Sequence, residues 1–268
     1  MAVAMETARA HGSSVPSGIH IHQERTATAM HPRTMNEDIK AAESHEIHLM
    51  PADYRERTTP EQVRRHLNLI EKHPGYPQKN FLRNPVTWEL THGAVTHHLS
   101  TFTLNNPHAL AYVTAAVSNC RASIETAQLF PRSDGTIIIE VDFTLSKKSM
   151  IDDLPKHLGS YFAPDLRKRP QPPCEELGAM SVRAWRSPGG KHGTIEIEAD
   201  DRRGLLYRIA ETFAMHGIKI VEAEITTQRG KVRDRFYVTD RLGQPMDLNH
   251  DTRRLEREIR EDFQITAV

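Results

Sequence analysis

Residues 193–213 have the sequence GTIEIEADDRRGLLYRIAETF, and this stretch decides the fold because a strand pattern runs directly into a helix pattern. Ile195, Ile197 and Ala199 alternate with polar residues, which is typical of a strand with one buried face. A polar turn follows at 200–204. Apolar residues then recur at spacings of three and four, as on the buried face of an amphipathic helix: Leu205, Leu206, Ile209, Ala210 and Phe213.

The residues after this helix predict two further strands. Gly217 stands where a left-handed glycine ends a helix, and 218–227 is rich in β-branched residues. After a tight turn at 229–230, apolar residues alternate again through 232–238 in a returning strand. A charged helix and a last strand are predicted at 253–262 and 263–268. This order is that of a ferredoxin-like βαββαβ unit, an α+β fold.

The same order occurs earlier in the chain. A strand, a helix, a strand, a turn and a strand are predicted at Val95–Thr103, Leu110–Asn119, Ile124–Phe130, 133–135 and Thr136–Leu145. Two pairs of positions show the register of the repeat, since Asn106 and Asp201 lie 95 residues apart, as do Leu110 and Leu205. The chain is therefore predicted to contain two diverged copies of one α+β unit.

The remaining residues suggest how the chain is divided. Residues 1–45 carry few large apolar groups and are predicted to be a disordered extension. Thr59 and Pro60 begin a helix, since Thr59 can cap it and proline suits its first turn. We expect a helical connector at 46–75, a first domain at 76–170 and a second at 171–268, joined by a proline-rich linker at 163–174.

Charge and cysteine content argue against several classes of protein. The chain has 35 basic and 35 acidic residues, so it lacks the excess of a general nucleic-acid binder. No stretch approaches the roughly 18 apolar residues of a membrane span. Two cysteines, Cys120 and Cys174, are too few for a disulfide framework, which favours a reduced, cytoplasmic setting. An organelle transit peptide stays open for the extension, although Glu6 and Glu24 count against it.

Metal, cofactor and RNA sites are not expected. The neighbouring histidines His97 and His98 would lie on opposite faces of a strand, and partners at metal-ligand spacing are lacking. Phe236 and Tyr237 also fall on opposite faces, so the aromatic platform of an RNA-binding sheet is absent from this strand. The pair His250-Asp251 is interpreted as a helix start, where Asp251 favours the positive end of the dipole.

Three motifs of the second copy together resemble an ACT domain: Asp201–Tyr207, the run IVEAEITT at 220–227, and Asp234–Asp240. The resemblance is to the paired ACT domains at the C-terminus of the protein-PII uridylyltransferase/uridylyl-removing enzyme. Met50–Tyr54 and Pro60–His66 resemble the helical connector before those domains, and Val95–Leu145 resembles their first copy. The resemblance covers about residues 47–262.

This resemblance implies an amino-acid sensor, with glutamine as the ligand and nitrogen regulation as the setting. The transferase of that enzyme needs an Asp-x-Asp metal pair, and no Asp-x-Asp occurs in the chain. We therefore expect a regulatory protein rather than an enzyme, acting on a protein partner or forming a homo-oligomer through its sheets. The alternative is a divergent or truncated uridylyl-transferring enzyme that keeps residual activity.

The expected ligand site is the turn before the second helix. Gly204 lets the backbone approach a ligand, and the helix start at Leu205 and Leu206 offers amides to a carboxylate. Asp200 or Asp201 could accept an ammonium group, and Arg203 could bind the carboxylate. The alternative is that Asp201 only caps the helix. In the first copy Asn105–Ala109 replaces this turn, so we expect its site to be weakened or structural.

Overall fold

The computed structural model describes residues 43–76, 81, 85–146, 150–163, 180–186, 190–246, 257 and 261. Several sequence predictions therefore lie outside the described residues: the extension up to 42, the linker from 164 onward with Cys174, the pair His250-Asp251, and the strand at 263–268. Of the helix expected at 253–262, Arg257 and Glu261 are described, and both are helical.

The N-terminal part of the described chain consists of helices and the first α+β unit. Helix α1 spans 43–48 and is followed by α2 (Tyr54–Arg57) and α3 (Pro60–Glu71). The first unit then comprises β1 (Val86–Thr91), β2 (Thr96–Leu104), α4 (Ala109–Asn119), β3 (Ala122–Pro131), β4 (Thr136–Leu145), a 3-10 turn (Ile151–Asp153) and α5 (Leu154–Tyr161).

The second unit has the same order of strands and helix as the first, and it also begins with its outer strand. It comprises β5 (Met180–Arg186), β6 (Gly193–Asp200), α6 (Leu205–Met215), β7 (Lys219–Glu224), the short β8 (Thr227–Gln228) and β9 (Lys231–Thr239). The predicted helices and strands that fall on described residues are present within a few residues of the expected bounds. The predicted α+β class with two ferredoxin-like units is confirmed.

The two sheets have the same antiparallel topology, and their outer strands differ from the prediction. The strand orders are β1-β2-β4-β3 and β5-β6-β9-β7. Within the described residues, the strand beside β6 is β5, which precedes it in the chain, and β1 holds the same place beside β2. Each unit thus obtains its outer strand from a hairpin on its N-terminal side. The sequence prediction did not include β1 or β5.

The two units pack side by side and share one apolar core. Helix α4 lies against α6, and the outer strand β3 of one sheet lies beside β7 of the other. Apolar residues from both units belong to one continuous cluster. A hydrogen bond crosses the helix layer, since Nδ1 of His108 lies 3.0 Å from Oε2 of Glu211. The two units are therefore paired side by side within one chain.

The N-terminal helices cover the face of the first sheet that α4 and α5 leave open. A second apolar cluster fills this layer: Met50, Tyr54, Leu69, Ile70, Phe81, Phe102, Phe130 and Ile138. Arg57 at the end of α2 contacts both units, because its Nη2 donates to the carbonyl of Leu129 at 3.4 Å and its Nη1 lies 3.3 Å from Oε1 of Glu222. The connector is thus docked onto the first sheet and tied to the second.

Helix α3 begins with the expected cap. Thr59 Oγ1 accepts a hydrogen bond from the backbone amide of Gln62 at 3.2 Å, and Gln62 Oε1 accepts one from the backbone amide of Thr59 at 2.9 Å. Together these bonds form a capping box. Replacing Thr59 by alanine should lower the free energy of unfolding by about 1 kcal/mol, because one helix-start amide loses its acceptor. Urea denaturation measures this, with Thr59→Ser as the control that keeps the hydroxyl. An unchanged stability in the alanine variant would contradict the role of the cap.

Candidate functional site

The turn before helix α6 has an unusual backbone conformation. Gly204 is the N-cap of the helix and has φ +83°, in the left-handed region that favours glycine. No side chain caps this helix, so the alternative in which Asp201 acts as its N-cap is wrong. Instead, the Asp201 amide donates to the carbonyl of Gly230 at 2.9 Å, which fixes the turn to the loop before β9.

A small polar cavity lies behind this turn, between the two units, with a volume of about 30 Å³. A cavity needs roughly 10–15 Å³ to hold a water molecule, so this one admits a group about as large as one or two waters. The second unit lines it with the turn, the start of α6 and strand β9, and the first unit adds the end of α4 and the start of β3. The first unit's contributions are Ser118, Ala122, Ser123 and Ile124.

The structure brings together five of the six residues expected at the site. The cavity is lined by Asp201, Arg203, Gly204, Leu205 and Leu206. Asp200 does not line it. Its carboxylate is paired with the ammonium group of Lys231 and faces a different cleft, on the outer face of the second sheet. Asp200 is the last residue of β6 and shares its outer face with Glu196 and Glu198, because alternate residues of a strand lie on the same face, whereas Asp201 belongs to the turn.

The first unit closes the site from the other side. The Ser123 hydroxyl donates to Oδ2 of Asp201 at 3.2 Å, and the Thr227 hydroxyl donates to the carbonyl of Ile124 at 3.2 Å. The sequence analysis missed Ser118 and Ser123 because it treated each copy separately. Side-by-side pairing of the two copies would have been needed to place the start of β3 against the turn.

Asp234 was also missed as a site residue. It lies on β9 between Val232 and Phe236, in the register that faces the helices, and its side chain is 1% exposed. Its Oδ1 accepts the amide of Thr226 at 3.2 Å. Burial raises the pKa of Asp234 to about 7, and the nearby Asp201 adds to the shift. The available signal was an acid at a position where the alternation of the strand calls for an apolar residue.

The corresponding turn of the first copy is built differently. His108 is the N-cap of α4 with φ −93°, and its amide donates to Oδ1 of Asn106 at 2.9 Å. Ala109 begins the helix proper, so no residue of this cap has the left-handed conformation of Gly204. The first copy thus starts its helix with an ordinary turn and lacks the left-handed glycine of the second copy.

The outer face of the second sheet carries a larger and more open cleft, of about 1280 Å³. Its charged residues form cross-strand pairs between β6 and β9. Arg233 Nη2 lies 2.5 Å from Oε1 of Glu198, and Arg235 Nη2 lies 2.9 Å from Oε2 of Glu196. The charges of these pairs neutralise each other across the sheet, so little uncompensated charge is left to attract a ligand. The cavity at Gly204 is therefore the better candidate despite its small size.

A buried acidic group joins the connector to the first sheet. Glu140 is 3% exposed, and its Oε1 lies 2.9 Å from Nε2 of His66, 3.1 Å from Nε2 of His98 and 3.3 Å from Nη2 of Arg65. Burial opposes ionisation, but hydrogen bonds from the two histidines hold the pKa of Glu140 far below its usual range. Among the described residues, no group of His, Cys, Asp or Glu has the arrangement of a metal site. The cluster acts as a latch between the connector and the sheet.

The fold and this cavity define a tandem pair of ferredoxin-like units that share a core and a polar pocket. The ACT domain family matches residues 193–260 of the chain, and an ACT domain is therefore present in the second unit. The ACT domain-containing protein ACR6 of Arabidopsis thaliana is 49% identical over 53 residues, which are 20% of this chain and 12% of that protein.

A solved structure, an aspartate kinase from Synechocystis, aligns with a TM-score of 0.38 and 12% identity, over 63% of this chain and 27% of that chain. The chain thus matches only a small share of the length of either protein. Within the part of the chain that the structure describes, no helix has the length and apolar character needed to cross a membrane.

Proposed function

We propose that this chain is a regulatory protein that senses an amino acid at the Gly204 cavity and catalyses no reaction itself. The observation that carries the proposal is the position of the cavity: the ligand-binding turn of one unit closes against the other unit. A ligand that changes this contact would change how the two units pack. This is the arrangement that a sensor needs, because binding must favour one packing over another.

The chemistry of the cavity complements both charged groups of an amino acid. The Leu205 amide, which we expected to face the ligand, donates instead to the carbonyl of Arg202 at 3.0 Å within the turn. The positive end of the α6 dipole at the Gly204 turn, rather than this amide, would stabilise a carboxylate. Arg203 lies beside this helix start and can add a charged contact. Asp201 supplies negative charge within the same cavity, which favours an ammonium group.

The size of the cavity indicates how such a ligand would enter. A volume of about 30 Å³ receives one end of an amino acid, while the other end and the side chain stay at the mouth or displace the turn. Two hydrogen bonds hold the Asp201 end of the turn closed, from its own amide to Gly230 and from Ser123 to its carboxylate. Ligand binding would therefore compete with a contact between the units.

The identity of the ligand and of the partner rests on the resemblance to the uridylyltransferase. On that ground we propose glutamine as the ligand, nitrogen regulation in the cytoplasm as the setting, and a protein partner or a second copy of the chain as the target. We also propose the division into a connector at 46–75, a degenerate first ACT-like domain at 76–170 and a second ACT domain at 171–268. The contact between β3 and β7 supports this division, since it pairs the two units within the chain.

A thermal-shift screen of the twenty standard amino acids on the full chain tests the proposal. A ligand present at 100 times its dissociation constant should add about 2.7 kcal/mol to the stability of the folded state. We expect one amino acid or a small related group to raise the melting temperature, with glutamine foremost. A screen in which no amino acid stabilises the protein would overturn the proposed function.

The variant Gly204→Ala locates the binding site within the same experiment. An alanine at positive φ should lower stability by about 1–2 kcal/mol and place a methyl group at the cavity, so the amino-acid shift should disappear. Gly243→Ala is the matched control, because Gly243 has φ +78° in an exposed turn with open space around it. A ligand shift that survives in Gly204→Ala would show that binding does not depend on this turn, and a shift lost in both variants would show that its loss is not specific to the turn.

A further inference from the structure

We propose that Asp234 is the specificity-determining residue of the Gly204 cavity, where it accepts a primary ammonium group and so selects ligands with a free amine. This inference rests on the proposed function and makes it more specific. Asp200 was expected to bind the ammonium group, but it lies on the outer face of the sheet. Asp234 instead places a carboxyl group on the wall of the cavity. The ligand class that follows is an α-amino acid whose amine carries no substituent.

Asp234 lies at a position of β9 where an acidic side chain carries an energetic cost. Strand β9 presents Val232, Phe236 and Val238 to the core, and all three are buried. Asp234 lies in the same register. Burying a carboxyl group among apolar side chains is unfavourable unless a hydrogen bond or a positive charge compensates. A residue that serves packing alone would not need an acidic group here.

A second feature is the set of partners around the carboxyl group. Among the described residues, its hydrogen bond is to the amide of Thr226, and the charged group that acts on it is Asp201, which carries the same sign. Burial is the main reason that its pKa is raised to about 7. An ammonium group in the cavity would supply the positive charge that this arrangement favours, and would lie between two carboxyl groups.

A third feature is the size of the space in front of it. A volume of about 30 Å³ accommodates an –NH₃⁺ group, which is about as large as a water molecule. A trimethylated ammonium or an N-acetylated amine is larger and cannot enter without further opening. Size and charge together therefore favour a primary ammonium group over its substituted forms.

The experiment compares ligands and variants of the full chain by calorimetry. The probe is L-glutamine, or the standard amino acid with the largest shift in the screen, together with its N-acetyl and des-amino derivatives. Wild-type protein should bind the free amino acid and lose at least about tenfold in affinity for either derivative, since a buried acceptor is then left without its cation. Asp234→Asn should weaken the binding of the free amino acid by a similar factor and leave the weak binding of the derivatives unchanged.

Controls separate this inference from the proposed function. Asp152→Asn makes the same chemical change at an exposed position of the first unit and should bind like wild type. If wild type binds amino acids and Asp234→Asn binds them equally well, the assignment of Asp234 is wrong while the sensor remains. Should Asp234→Asn fail to fold, the derivatives still decide the matter on wild-type protein: equal affinity for the N-acetyl derivative would overturn the inference, and its loss would support it.

Discussion

Replacing Glu140 by alanine should lower the free energy of unfolding by about 3–5 kcal/mol, which is a large share of the stability of a domain. The carboxylate is buried between the connector and the first sheet, within 3.3 Å of polar atoms of Arg65, His66 and His98. Its removal leaves the fully buried His66 and the partly buried Arg65 and His98 without their shared acceptor. Denaturant unfolding of the full chain measures the loss, and limited proteolysis shows whether helices α1–α3 leave the sheet.

The matched control is an ion pair of the same chemical type on the surface. Lys72 and Glu89 also join α3 to the first sheet, with 2.8 Å between Nζ and Oε2, but the lysine side chain is 61% exposed. Glu89→Ala should therefore change the stability by less than about 1 kcal/mol. If Glu140→Ala were within the same range, the buried cluster would not be the latch that holds the connector.

The second large effect expected is a dependence of stability on pH that is due to Asp234. Its pKa is about 7 in the folded protein and near 3.8 in the unfolded chain, so the folded state favours the protonated form. This contribution is fully present below about pH 4 and is lost as the pH rises through 7. At about 1.4 kcal/mol for each pKa unit, the total loss is on the order of 4 kcal/mol.

Asp234→Asn isolates this contribution because an amide keeps the shape and the acceptor for Thr226 but does not ionise. The stability of the variant relative to wild type should rise between pH 4 and pH 8, and the variant should be the more stable protein at the upper end. Urea unfolding across this range gives the difference curve, which cancels the titration of other groups such as His98. A flat difference curve would show that Asp234 is not held in its protonated form.

The pH dependence of His98 runs through a neighbouring range and explains why a difference curve is needed. Burial alone would lower the pKa of His98, but hydrogen bonds to Asp142 and Glu140 outweigh it and raise the pKa to about 9. Its contribution to stability is present below about pH 6.5 and is lost as the pH rises through 9. Both Asp234 and His98 therefore weaken the folded state above neutral pH by losing a proton, which creates a buried negative charge on Asp234 and removes the positive charge of His98.

Local patterns predicted the elements around each turn well. Helix α6 and strands β6 and β9 follow from short-range periodicity, because alternation and helical spacing record which side of a single element is buried. The repeat of about 95 residues likewise predicted α4 and its flanking strands. The outer strands β1 and β5 were missed, since each is defined by its hairpin partner rather than by a strong pattern of its own.

The sequence also contains a pattern that indicates a second layer of helices on the first sheet. Ile137, Ile138 and Ile139 form a continuous apolar run in β4, and all three are fully or almost fully buried. Such a run is typical of a strand that is covered on both faces. It indicates that the first sheet carries a second layer, whereas the alternation of β9 shows that the second sheet has an open face.

The sequence by itself determined the two α+β units, the glycine at the helix start and the acids beside it, because backbone conformation and strand alternation are local properties. Only the tertiary structure decided which acid faces the cavity, since a sheet has a buried and an exposed face only after another element packs on one side of it. Packing of β3 beside β7 brought Ser123 to Asp201 and made the site a junction of two units. Contacts between residues about 80 positions apart depend on the docking of whole sheets, and no short-range pattern specifies them.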